Sequence, residues 1–233
     1  MVALTNPQAR VRSQQAAAQV FDQLRDLILS LTLAPGTALS RLRLQAQFGV
    51  SSTPVRDALM RLEEAGLVEV FPQSGTIVSL IDVALARQAQ FLRRALEQEV
   101  VRTLAAAPDA ALVERLKVVV DEQKGHARKQ DLERFNEADL AFHHMLFDAA
   151  GVSHLWMLIR NRSGHIDRIR RLHLPIGDKA KQIVRDHSAI VSAIADGLPD
   201  RAQTEMRDHL SRSLAFSDEL RARFPGYFKD GSR

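Results

Sequence analysis

The sequence predicts a mainly α-helical protein in two parts. Three short helices closed by a small β-hairpin come first, and an all-α antiparallel bundle follows. Three observations carry this reading. Apolar residues recur at helical spacing over most of the 233 residues. The pattern changes to alternation between Gly66 and Leu80. Beyond that point the strong breakers, Pro108, Gly151, Pro175-Ile-Gly177 and Gly197-Leu-Pro199, bound long helical blocks. A chain of this length is long for one domain and comfortable for two.

Residues 1–12 are polar and without pattern, so a flexible N-terminus is expected over 1–15. Ala16 to Leu31 then places Val20, Leu24, Leu27, Ile28 and Leu31 on one helical face, and Ala34-Pro35-Gly36 breaks it. A second helix is expected from about Arg41 to Phe48, stopped by Gly49. A third starts at Ser51 or Ser52, where a hydroxyl can cap the open backbone N–H groups, with Pro54 in its first turn. Val50, Val55, Leu59 and Leu62 face its core side, and it runs to Gly66. Val68, Val70 and Phe71, a Pro72-Gln73-Ser74-Gly75 turn and Thr76-Ile77-Val78 read as a two-stranded hairpin. Three helices and a hairpin in this order make a winged helix-turn-helix, assigned to residues 16–81.

Residues 82–226 read as helix throughout. The expected blocks are Asp82 to Ala107, Asp109 to Lys129, Leu132 to Ala150, Ser153 to Leu174, Lys179 to Asp196 and Asp200 to Arg223. Long helices with short connections imply an antiparallel bundle. Trp156 is expected in its core, and residues 227–233 as a tail.

Composition bounds the function. The chain has no cysteine, which excludes disulfides, thiolate metal sites and a cysteine nucleophile. It has no run of 18 apolar residues and no apolar segment of signal-peptide type, so a cytoplasmic protein without membrane association is expected. The net charge of +4 is mild. Residues 1–81 hold seven Arg and no Lys against six acidic residues, so affinity for nucleic acid has to come from placed residues.

Those residues are at the start of the third helix. A helix-turn-helix lays one helix in the major groove, and its first turn must be small, polar and rich in donors. Ser51, Ser52 and Thr53 supply hydroxyls, Arg56 can fork onto guanine or bridge phosphates, and Arg61 is a second candidate for the backbone. The order Leu33-Ala-Pro-Gly-Thr-Ala-Leu39, Val50-Ser-Ser-Thr-Pro-Val-Arg-Asp-Ala-Leu59, an acidic residue, then Gly66-Leu67 resembles the GntR family over Val20 to Val78. The resemblance implies DNA contacts from Ser51, Thr53, Arg56 and the wing-tip Gly75. Ser52 stands where that family usually has Arg, which removes one expected contact.

The bundle carries a second constellation. Asp139 and His143 lie four apart on one helical face. His187 follows Asp186 in phase with Ile183, Val184, Ile190 and Ile194, and His209 is in phase with Met206 and Phe216. One carboxylate and three imidazoles from facing helices can hold a divalent ion, or can be core histidines satisfied by hydrogen bonds. The arrangement resembles the FCD domain of the FadR-like branch of the GntR family. That resemblance implies that Asp139, His143, His187 and His209 are metal ligands, for zinc first, with nickel or manganese as alternatives. Arg93-Arg-Ala-Leu-Glu97 also resembles that branch and implies that Arg93 meets a carboxylate effector beside the pocket. The other reading of Arg93 is an exposed pair with Glu97. His126, His144, His154, His165 and His173 are expected at the surface or lining the pocket.

The resemblance implies a metabolite-responsive transcriptional regulator, usually a repressor. It would bind an inverted-repeat operator in double-stranded DNA as a homodimer, with a small carboxylate effector at the metal. Two other functions compete. One is a metal-dependent hydrolase- or lyase-like enzyme fused to a DNA-binding domain, although no His-Glu-x-x-His motif or separate base is found. The other is a regulator whose metal is purely structural. A protein without enzymatic activity is the expectation.

Overall fold

The structure is a computed structural model that describes residues 7–71 and 75–230. The sequence expectations for residues 1–6, for the turn at 72–74 and for 231–233 lie outside the described residues. The chain divides into two compact units, Met1–Val83 with Arg221–Arg233, and Ala84–Leu220.

In the first unit, helix α1 (Pro7–Leu29) is followed by strand β1 (Ala38–Leu39), α2 (Arg41–Phe48), α3 (Ser52–Glu64), β2 (Val68–Phe71) and β3 (Gly75–Val78). This is a winged helix-turn-helix. Helix α1 begins at Pro7, so residues 7–15, expected to be flexible, are helical; the Gln-Gln-Ala-Ala-Ala run at 14–18 has high helix propensity. Gly49 ends α2 in the left-handed region at φ 63°, its N–H reaching the Gln45 carbonyl, a geometry most side chains resist. The wing has three strands in the order β1-β3-β2 rather than the expected two. The added strand pairs Ala38 with Ile77 and Leu39 with Thr76, and two residues are too few to show an alternating pattern. Val20, Leu24 and Ile28 of α1 pack with Val55, Leu59 and Leu62 of α3 in one buried cluster that also takes in Val68 and Val78.

The C-terminal end belongs to this unit too. A 3₁₀ turn at Pro225–Tyr227 leads into Phe228, which bridges Ile81 in parallel. Ile81 N donates to Tyr227 O at 2.8 Å and Lys229 N donates to Ile81 O at 2.9 Å. Residues 221–226, expected in the helical domain, and 227–230, expected as a tail, thus belong with the winged unit. Backbone pairing of this kind has no side-chain periodicity to reveal it.

The helical unit is formed by α4 (Val83–Ala106), α5 (Ala110–Lys129), α6 (Leu132–Ala149), α7 (Ser153–Arg162), α8 (Gly164–His173), α9 (Lys179–Ala195) and α10 (Pro199–Ser211), then a 3₁₀ turn at Arg212–Leu214 and α11 (Ser217–Arg223). Asp109 caps α5 through Ala111 N at 2.9 Å, and Asp131 caps α6 through Arg134 N at 3.1 Å. Val101, Leu116, Phe135, Phe142, Phe147, Ile190 and Met206 share one core, and Trp156 joins it as expected. Two expected blocks are each divided. Ser163 ends α7 with its hydroxyl donating back to the Ile159 carbonyl at 2.8 Å, and Gly164 opens α8. The last block breaks at the 3₁₀ turn. Among the described residues, no helix is long and apolar enough to cross a membrane.

Candidate metal centre and nucleic-acid interface

Helix α3 owes its position to its buried side, Pro54, Val55, Ala58, Leu59 and Leu62. The opposite side at its N-terminus is exposed: Ser51, Ser52, Thr53 and Arg56 form one polar surface. Ser51 occupies the N-cap position but makes no side-chain cap bond, contrary to the capping expected of it. Among the described residues the three hydroxyls have no hydrogen-bond partner, so they and the first-turn N–H groups are available to phosphate or base edges. Arg56 is 65% exposed, with only a loose 3.7 Å approach to Asp57. Arg61 differs. Its guanidinium lies 4.0 Å over the Phe21 ring, a cation–π contact between α3 and α1. Gly75, at φ 125°, opens β3. Arg41 and Arg43, exposed in the first turn of α2, add positive charge that the sequence reading passed over.

In the helical unit, α6 carries Asp139 and His143, α9 carries His187, and α10 carries His209. All four are buried, because each lies in phase with its helix's apolar stripe. One ligand atom from each of the three imidazoles falls within 4.8 Å of the others. His187 Nε2 is 3.3 Å from His209 Nε2, and Asp139 Oδ1 is 3.8 Å from His187 Nε2.

An oxygen lies near the Nδ1 of each ring. His143 Nδ1 lies 2.6 Å from Glu97 Oε2, His187 Nδ1 lies 2.9 Å from Gln123 Oε1, and His209 Nδ1 lies 3.3 Å from Asp186 Oδ2. With an oxygen hydrogen-bonded at Nδ1, His187 and His209 can keep the proton there and leave Nε2 as a lone pair for a ligand. Both ring nitrogens of His143, Glu97 Oε2 and Asp139 Oδ1 are buried without a hydrogen-bond partner. Buried groups left this way cost about 1–3 kcal/mol each unless something satisfies them. The three imidazoles, with ligand atoms within 4.8 Å of one another, can hold a divalent metal ion, and Asp139 Oδ1 lies beside them, 3.8 Å from His187 Nε2.

The electrostatics favour the ligand-ready protonation states. Burial alone would raise the Asp139 carboxyl, but Arg170 and the neighbouring imidazoles hold it well below the ordinary range. Burial opposes charge on Glu97 as well, yet Arg93 and His143 bring it to about 2. Burial pushes His187 far down and His209 to about 4. Charged carboxylates and neutral imidazoles are what metal coordination requires.

Arg93 is 3% exposed, its Nε donating to Glu97 Oε1 at 2.7 Å. The pair is therefore buried, not the exposed one considered as the other reading, and Arg93 is not among the residues lining the cavity beside the centre. That cavity is bounded by Asp139, His209, Arg170, His173 and Lys179. His165 is buried against Arg168 at 3.1 Å, and His173 lines the cavity. Gln123, Asp186 and Arg170 were missed as participants. Gln123 was legible in principle: a polar residue at a position in phase with Leu112, Leu116 and Val119 that is 0% exposed.

A winged helix-turn-helix joined to a helical domain with a buried histidine and carboxylate centre defines a two-part transcriptional regulator. Residues 16–78 match the model for bacterial regulatory proteins of the gntR family, and residues 88–212 match the FCD domain. The chain belongs to the GntR family and carries an FCD effector domain. It is 40% identical over 210 residues, 90% of this chain and 88% of the relative, to an uncharacterized HTH-type transcriptional regulator in an unstable DNA locus of Streptomyces ambofaciens. It is 29% identical over 218 residues, 94% of this chain and 96% of the relative, to the HTH-type transcriptional repressor RspR of Escherichia coli strain K12. In fold it is similar to E. coli McbR/YncC, with a TM-score of 0.75 at 17% identity, over 88% of this chain and 98% of that one.

Proposed function

We propose that this regulator is a metabolite-responsive repressor that binds an inverted-repeat operator as a homodimer and takes a small organic acid at a metal centre formed by Asp139, His143, His187 and His209. The observation that carries the sensing half is the convergence of three buried imidazoles, with ligand atoms within 4.8 Å of one another, beside Asp139 Oδ1, two of them held at Nδ1 by Gln123 and Asp186. Bound there, a divalent metal would supply the positive charge that binds a carboxylate. The chain's own residues do the rest: they fix the imidazole tautomers and keep the donors dry. The exposed Ser51, Ser52, Thr53 and Arg56 surface, with Gly75 in the wing, reads the operator. Repression is supported by relatives named as repressors, RspR and the gluconate operon repressor of Bacillus subtilis, the latter 25% identical over 181 residues.

An acid can regulate DNA binding only by differing in affinity for two states of the protein. The test is elemental analysis of the purified protein followed by operator gel shifts with small organic acids, with and without chelator. A divalent metal at about one per chain, and release of operator by an acid only in the metal-loaded protein, are expected. Turnover of those acids would favour a metalloenzyme instead. Chelation that melts the helical unit, while no acid alters operator affinity, would leave a purely structural metal.

A further inference from the structure

The cavity beside the centre is small inside, about 20 Å³, space for roughly one water molecule or ion. An acid of any size can therefore place only its head group within, and the rest must lie where the cavity opens. Of the charged residues lining the cavity, Arg170 and Lys179 are cationic and Asp139 anionic. Arg170 is engaged with Asp139, and Arg212 with Asp186 at 2.7 Å. Lys179, at the start of α9 and partly buried, has no ion pair or hydrogen bond among the described residues. His173 is 4% exposed, packs its ring on Phe216 at a centroid distance of 4.3 Å, and likewise has no hydrogen-bond partner among the described residues. Both side chains line the cavity. An ammonium and an imidazole on one cavity wall, neither hydrogen-bonded within the described residues, can together take up an anion.

We infer that Lys179 and His173 form a second anion subsite, so that the preferred effector is a small diacid with one carboxylate toward the metal centre and the other between these two residues. Lys179 supplies charge and His173 one N–H donor. A monoacid would leave both unpaired. Burial and the nearby Arg170 guanidinium push the Lys179 ammonium below its usual value against the opposing Asp186 and Asp139 carboxylates, and a further carboxylate would relieve that penalty.

This rests on the reading that an acid binds at the metal, and the experiment separates the two. Calorimetric titration of the full-length, zinc-loaded protein would compare succinate with butyrate and glutarate with valerate. In the wild-type protein at least one diacid is expected to bind about tenfold tighter than its matched monoacid, which corresponds to about 1.4 kcal/mol. Lys179→Met should bring that ratio close to one while leaving zinc content and melting temperature in place. His173→Phe, which keeps the ring against Phe216, should lower the ratio as a second, independent variant. A ratio near one in the wild-type protein, or one that survives both substitutions, overturns the subsite while leaving the acid reading intact. If neither monoacids nor diacids bind the zinc-loaded protein, the acid reading fails and the subsite with it.

Discussion

Glu97 joins two side chains that the sequence places far apart: its Oε2 is 2.6 Å from His143 Nδ1, and its Oε1 accepts from Arg93 Nε at 2.7 Å. A carboxylate behind a ligating imidazole fixes the ring and raises its basicity, and removing such a partner typically weakens metal binding 10–100-fold. Glu97→Gln keeps the shape and removes the charge. Zinc affinity, measured by competition with a chromogenic chelator, should fall by roughly 10–100-fold. Unchanged affinity would mean that Glu97 serves only to neutralise Arg93.

The two arginines of α3 should separate in their effects. Arg56 is exposed beside the first-turn hydroxyls, whereas Arg61 lies over Phe21. Arg56→Ala is expected to weaken operator binding by roughly 1–3 kcal/mol in fluorescence anisotropy, as for loss of a bidentate base contact. Arg61→Ala should instead destabilise the winged unit by about 0.5–1 kcal/mol, the worth of an exposed cation–π contact, with a smaller change at the operator. Equal losses at the operator would restore Arg61 to the DNA-contacting set.

What was legible in the sequence follows from what has a period. The buried faces of α3 and α9 repeat at helical spacing, so Leu59, Leu62, Ile190 and Ile194 could be placed, and with them His187, which shares their phase. Contacts made across the bundle have no such signature. Gln123 sits on α5, 64 residues before the His187 that it orients, and Arg170 reaches Asp139 from 31 residues away. Backbone pairing was equally silent: neither β1 against β3 nor Phe228 against Ile81 leaves a pattern in side-chain chemistry. Arg93 marks the opposite failure. Its spacing from Glu97 was visible, but spacing alone could not tell a surface pair from a buried one that braces His143.

Acid should weaken the metal-free protein in a defined window. His187 and His209 are kept neutral in the fold by burial, His209 down to about 4, whereas in the unfolded chain both take a proton near 6.5. Between those values the unfolded state binds more protons, so stability falls as pH falls, by about 1.4 kcal/mol per pH unit for each histidine. Glu97 and Asp186, each held at about 2, carry the loss further as pH drops below their ordinary values near 4. Urea unfolding in excess chelator should thus show a plateau above about pH 7 and a decline below 6.5. Zinc in place of chelator should move the decline to lower pH, because protons must then compete with the metal for the same nitrogens. Coincident pH profiles with and without zinc would argue against these histidines as ligands.

The C-terminal segment is expected to stabilise the winged unit mainly through one ring. Phe228 is 4% exposed and pairs through its backbone with Ile81, the residue that precedes α4 by two positions. Its neighbour Lys229 approaches Glu69 at only 3.7 Å, with both side chains more than a third exposed, which places that pair in the class worth about 0–1 kcal/mol. Burial decides between them: truncating a buried Phe typically costs 3–5 kcal/mol, transfer and cavity together. Phe228→Ala should therefore lower the urea midpoint of the winged unit strongly and reduce the fraction of protein competent for operator at 37 °C. Lys229→Ala should change either measurement little. A chain ending at Arg223 should behave like Phe228→Ala or worse, since it also removes the two backbone hydrogen bonds at Ile81. If truncation left the winged unit as stable as the full chain, the segment would be a passive end resting on Ile81, and the assignment of residues after Arg221 to this unit would lose its energetic basis.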